Sequence, residues 1–203
     1  MKLYFLLILI LFKFSSSAQV IERKINIPEV VISEDRKLKK KVFGLHRHLS
    51  VAVTAAEIDK QTEWALLFMP NKKWRIVEEL YLKLDEDTPA ESEFIVRLRE
   101  VGVDGMPARI VYEKSLKFNE FKEEKYVTVE VDTMLRLKEN GIYLCLEVLD
   151  STIYVRMTAK RRKEIGVHFL EGNEDGWKVS SLSRKAKGLT PWIPRFGIRV
   201  RNY

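Results

Sequence analysis

The chain has 203 residues, 46% of them hydrophobic and 32% charged, with only 9 Gly and 6 Pro. That balance excludes a disordered, collagen-like or low-complexity chain and supplies material for a core. A single cysteine excludes a disulfide framework and a Cys-rich zinc module. The formal charge of +7 points at anionic partners without naming one.

Met1 and Lys2 form a short basic start, and Leu3 to Phe12 is an unbroken apolar run of ten residues. Ser16 and Ala18 then stand at the −3 and −1 positions for cleavage before Gln19, the small-x-small pattern of a signal peptidase site. A spanning helix needs about 20 apolar residues, so this run is too short, and Lys13 interrupts it. Residues 1–18 therefore read as a signal peptide, and the chain as exported to the periplasm, outer envelope or medium. The first mature residue is not cysteine, so lipidation there is not supported. Cleavage removes Lys2 and Lys13 and lowers the formal excess from +7 to +5. Residues 19–41 read as a basic N-terminal arm ending in Arg36-Lys37-Leu38-Lys39-Lys40-Lys41, and residues 42–203 as one domain. No later stretch resembles a transmembrane helix.

Beyond the arm, Thr54 to Leu67 admits a helix, but Val51 to Ala55 and Trp64 to Met69 also read as strands. Period-two alternation then dominates. Leu80, Leu82 and Leu84 oppose Tyr81 and Lys83; Phe94, Val96 and Leu98 oppose Ile95, Arg97 and Arg99. Val127, Val129 and Val131 oppose Thr128 and Glu130, and Phe196, Ile198 and Val200 oppose Arg199 and Arg201. Strands sort residues onto two faces in this way; helices do not. Asp104-Gly105, Asn140-Gly141 and Asp175-Gly176 mark turns between the runs. Cys145, inside Gly141-Ile142-Tyr143-Leu144-Cys145-Leu146-Glu147-Val148, reads as a buried strand residue. Many short strands with tight turns predict an all-β, antiparallel, jelly-roll-like β-sandwich.

The order of features carries a resemblance. It runs from Trp74-Arg75-Ile76-Val77-Glu78-Glu79-Leu80-Tyr81-Leu82 through Phe94-Ile95-Val96-Arg97-Leu98-Arg99 to Gly105-Met106-Pro107. Val127-Thr128-Val129-Glu130-Val131 and Gly141-Ile142-Tyr143 to Glu147 complete it. Residues 50–150 are similar to the C-terminal β-sandwich of secreted bacterial carboxypeptidase-like regulatory-domain proteins. The resemblance implies an exported jelly-roll-like module. It implies no peptidase activity and brings no catalytic residues, and the separate N-terminal β-domain usual in that group has no counterpart in the short segment before residue 50.

Chemistry-bearing patterns are sparse. His46-x-His48 has the spacing of two ligands on one strand face, but no local motif adds a third; His168 is remote, and Glu57 and Asp59 are weak partners. Asp85-Glu86-Asp87 and Asn173-Glu174-Asp175 lack the regular spacing of a calcium loop and read as solvated turns. Glu78 and Glu79, adjacent on a strand, are expected on opposite faces, so they do not form a carboxylate pair. No Gly-x-Ser-x-Gly elbow, His-Glu-x-x-His helix or phosphate-binding glycine loop is present. Neither a catalytic residue, a metal site nor a cofactor is assigned.

Two features point to binding instead. Cations gather at Arg36 to Lys41, at Lys160, Arg161, Arg162 and Lys163, at Arg184, Lys185 and Lys187, and at Arg195, Arg199 and Arg201. Such runs suit anionic partners through counterion release. Among the tryptophans, Trp64 and Trp74 begin strands and read as core, whereas Trp177 and Trp192, the latter framed by Pro191 and Pro194, are candidates for stacking on sugar rings. Lys160, Arg161, Arg162, Lys163, Trp177 and Trp192 are thus the candidate ligand-binding residues. The reading is an exported, non-catalytic module that binds a glycan, an anionic lipid or an envelope protein; export argues against nucleic acid. A structural component of a cell-envelope complex is the second reading and a secreted hydrolase the third.

Overall fold

Strands form where β-branched, aromatic and leucine residues alternate with polar ones, because only a pleated chain can then bury one face and wet the other. In a computed structural model, the described residues are 39–44, 53–69, 75–121, 124, 126–158, 165–173, 176–180 and 192–202. The chain divides into two units, Met1–Lys37 and Leu38–Tyr203; the described residues all belong to the second. The described residues hold thirteen strands and one 3-10 turn (Phe118–Phe121). The strands are β1 (Lys40–Phe43), β2 (Val53–Ile58), β3 (Glu63–Phe68), β4 (Ile76–Leu82), β5 (Glu93–Val101), β6 (Pro107–Lys117) and β7 (Val127–Arg136). Then come β8 (Ile142–Val148), β9 (Ile153–Thr158), β10 (Ile165–Asn173), β11 (Gly176–Val179), β12 (Ile193–Pro194) and β13 (Phe196–Arg201).

All strand pairings are antiparallel, in three sheets ordered β1-β13-β4-β7, β11-β10-β3-β8-β5-β6 and β12-β9-β2. The four- and three-stranded sheets are joined where the Lys83 amide bonds the Arg195 carbonyl (3.1 Å), the Arg156 amide bonds the Lys83 carbonyl (2.9 Å) and the Asp85 amide bonds the Tyr154 carbonyl (2.7 Å). The main core contains Trp64, Phe68, Phe94 and Leu98 from the six-stranded sheet. It also contains Leu80, Phe196 and Ile198 from the four-stranded sheet and Val155 and Met157 from the three-stranded one. The architecture is an all-β sandwich, with each fully buried large apolar side chain contributing about 1.5–3 kcal/mol. The region that admitted a helix is strand, β2 and β3. The first strand begins at Lys40, so the last two residues read as arm belong to the sandwich.

The six-stranded sheet is buried on both faces at its centre. Ala65, Leu67, Tyr143, Cys145 and Leu170 form a second apolar cluster, with Val101, Met106, Trp177 and Val179 packed against it. This is why β3 and β8 read as nearly continuous apolar runs. Gly141 shows why a turn glycine is needed: φ is +92°, and a Cβ there would lie 2.3 Å from the Phe68 carbonyl oxygen.

Candidate functional site

A polar cleft of about 390 Å³ is lined by Glu57, Asp59, Thr62, Trp64, Glu171, Gly172, Asn173 and Lys178. It lies where the β10–β11 edge of the six-stranded sheet meets the β2–β3 connection. Pairing register builds its floor. Glu171 stands opposite both Trp64 of β3 and Lys178 of β11, so these three side chains share one face. Trp64 is buried and meets Phe169 edge-on, with centroids 4.8 Å apart. Ser180, fully buried, donates its hydroxyl to Glu171 Oε1 at 2.5 Å, while its amide donates to the Phe169 carbonyl at 3.0 Å. Glu171 is thereby held at the base of the cleft. The β2–β3 connection is tight: the Thr62 amide donates to the Asp59 carbonyl at 3.2 Å, and Gln61 takes φ +65°. This brings Asp59 and Thr62 to the rim. Glu57, Asp59, Asn173 and Lys178 are exposed, and Glu57, Asp59 and Lys178 make no ion pair among the described residues.

A second hollow, of about 430 Å³, lies on the outer face of the four-stranded sheet. Its origin corrects the expectation for Glu78 and Glu79. Val77 and Leu80 both face the core, with two residues between them instead of one. β4 therefore carries an extra residue, Glu78, against β13, whereas against β7 the excess lies on β7, whose Val131–Met134 stand opposite that one residue. The bulge turns both glutamates outward. They are neutralised there: Lys40 Nζ lies 3.1 Å and Arg201 Nε 3.5 Å from the Glu78 carboxylate, and Arg199 bonds Glu79. Tyr81 also donates to Glu79, and burial together with that carboxylate raises its pKa. Arg199 and Arg201 are thus partnered strand residues and not a vacant anion patch. Arg195 donates to the Tyr126 hydroxyl oxygen at 3.3 Å.

The two candidate tryptophans are separated. Trp177 is half-buried on the second apolar cluster, its ring against Gly172, where a Cβ would come within 2.8 Å of it; the Arg99 guanidinium is 5.7 Å from its centroid. Trp192 is half-buried and packs against the main core. The two pack against different apolar clusters and form no common platform. Trp64 is core, as its strand position implied. Lys160, Arg161, Arg162 and Lys163 lie outside the described residues, as do Trp74, His46, His48, Arg184, Lys185 and Lys187.

Asp85 departs from the solvated turn expected of it. It is 3% exposed, pairs with Arg156 and accepts the Asp87 amide at 3.3 Å, whereas the Glu86 side chain beside it is 88% exposed. Cys145 is fully buried, and burial first, then Glu63, pushes its thiol pKa well above the ordinary value. Thr62, Glu171, Lys178 and Ser180 went unnoticed in the sequence. Their only signal is the polar ending of β10, because the cleft depends on which strands become neighbours.

No protein-family model matches the chain, and no curated protein matches it. Among solved structures, the chain is similar to a clostridial cysteine protease, Cwp84, after propeptide cleavage. The identity is 11% and the TM-score 0.53, over 81% of this chain and 40% of that one. The chain therefore spans less than half the length of that structure, and the likeness is one of fold.

Proposed function

We propose that this chain is an exported, non-catalytic β-sandwich module that binds a glycan in the cleft between β2–β3 and β10–β11. The observation that carries the reading is the cleft itself. Carboxylates, an amide, a hydroxyl and an ammonium converge around the edge of a buried indole in a volume within the range of small-ligand sites, about 300–1,000 Å³. Polyhydroxylated rings match such a lining, since carboxylate and amide groups accept from and donate to adjacent hydroxyls. The small-x-small site before Gln19 supports export, and the resemblance of residues 50–150 to secreted regulatory-domain β-sandwiches, which brings no catalytic residues, is in keeping with a module that does not catalyse. Among the described residues no helix is long and apolar enough to cross a membrane.

A glycan array followed by calorimetry on the hit tests this. Asp59→Ala is expected to abolish the signal while leaving the melting temperature close to that of the parent chain, and Glu171→Ala to abolish it with a lower melting temperature, because the buried Ser180 hydroxyl loses its acceptor. An array without any hit overturns the glycan reading. Loss of binding in Trp177→Ala or Trp192→Ala, with the cleft variants unaffected, moves the site to those tryptophans. Unchanged binding after neutralising Lys160, Arg161, Arg162 and Lys163 separates the cleft from the rival reading, in which that cluster meets an anionic lipid or polymer.

A further inference from the structure

From the charge balance and shape of the cleft we infer that its ligand is an amine-bearing glycan, recognised as an ammonium; the inference rests on the glycan reading above. Three carboxylates, Glu57, Asp59 and Glu171, face one ammonium, Lys178, on a chain whose formal charge is +7. The cleft therefore carries the opposite sign to the protein as a whole. Elsewhere many described acids are matched to bases, as Glu78 is to Lys40 and Glu63 to Arg99. Glu57 and Asp59, at the mouth of a concave site, pair with no base among the described residues. Such a lining is rich in acceptors and poor in donors. A neutral sugar hydroxyl satisfies one carboxylate oxygen at a time, whereas an ammonium offers three donors and a full charge.

The carboxylate at the base is arranged in advance. Ser180 occupies Glu171 Oε1 and is itself fully buried, so Oε2 is left to meet the ligand without rotating into place. Ser180 is therefore a positioning residue for Glu171. Among the described residues no three His, Cys, Asp or Glu groups are placed to hold a metal ion. A broader cation that spans the cleft fits the spread of the carboxylates better. Buried Trp64 closes the floor of the cleft and keeps its base apolar.

The test compares a short glucosamine oligomer with its N-acetylated counterpart of equal length, by calorimetry on the full chain. Free amine is expected to bind at least about tenfold more tightly, since one charge-assisted contact amounts to about that factor. Raising the salt should narrow the gap. The double variant Glu57→Gln and Asp59→Asn should erase the preference while keeping the melting temperature. Ser180→Ala should lower affinity for the free amine without altering affinity for the acetylated oligomer, a split that general loosening of the fold would not produce. Glu171→Gln, which needs no change in the buried layer, provides the same readout if Ser180→Ala fails to fold. Equal binding of both oligomers overturns the ammonium inference and leaves the glycan reading intact. Binding of neither, with other glycans also silent, overturns both.

Discussion

Arg99→Met addresses the polar layer on the outer face of the six-stranded sheet. Arg99 grips Glu63 with two parallel hydrogen bonds, Nε to Oε1 at 2.9 Å and Nη2 to Oε2 at 2.8 Å. Its side chain is 19% exposed and that of Glu63 10%. Charge-assisted hydrogen bonds contribute about 1.5–3 kcal/mol each, so losing the two to Glu63 would cost about 3–6 kcal/mol if nothing replaced them; the third, from Nη1 to the Ala108 carbonyl at 3.1 Å, is exposed and readily replaced by water. Arg97 remains 3.7 Å from Glu63 and keeps part of its charge compensated. Methionine also restores some of the apolar contact with Trp177. The net loss should be about 2–4 kcal/mol, at the lower end of what breaking a buried pair costs. For a domain of this size that lowers the melting temperature by roughly 4–16 °C. Arg109→Met is the control: it pairs with Glu100 at 3.0 Å from a side chain 74% exposed, and Lys138 already serves the same carboxylate at 2.7 Å. Its cost should stay below about 1 kcal/mol. Urea or thermal unfolding of the two variants decides the matter. Equal losses would refute the claim that burial separates these two ion pairs.

Two turn glycines should behave differently. Gly141→Ala combines φ +92° with a clash at 2.3 Å and should cost more than about 3 kcal/mol, while Gly105→Ala, at φ +80° with nothing within 4 Å, should cost about 1 kcal/mol by thermal unfolding. The native Cys145 thiol should resist a disulfide reagent, with its reaction rate rising in step with urea unfolding; rapid labelling of the folded chain would contradict its burial. Burial, followed by Cys145 and Asp104, pushes Tyr143 from its ordinary 10.0 up to about 12. The folded state then holds this proton more tightly than the unfolded one. Its contribution is complete below about pH 10 and is lost as the pH rises towards 12, so urea midpoints should fall across that window. Tyr143→Phe should flatten the fall, although it also gives up the bond to the Gly105 carbonyl at 2.6 Å.

What the chain alone determines is what depends on neighbours along it. Alternation at Phe94-Val96-Leu98 and Phe196-Ile198-Val200 sorts side chains onto two faces wherever the strand ends up, and these residues do lie in the main core. Asp104-Gly105 and Asn140-Gly141 require positive φ locally, and both glycines adopt it. The burial of Cys145 follows from its apolar run in the same way. Other features depend on partners far away in sequence. The outward turn of both Glu78 and Glu79 comes from the extra residue β4 carries against β13, so a strict period of two along β4 misplaces one of them. The separation of Trp177 from Trp192 is decided by which face of which sheet each strand presents, and the burial of Asp85 by the arrival of Arg156. The cleft is the clearest case. Glu57 and Glu171 are 114 positions apart, and only the pairing of β10 with β3, together with the β2–β3 connection, brings their carboxylates to one concavity. Register and sheet order are set by long-range burial, and a local pattern carries no record of which strand will lie alongside.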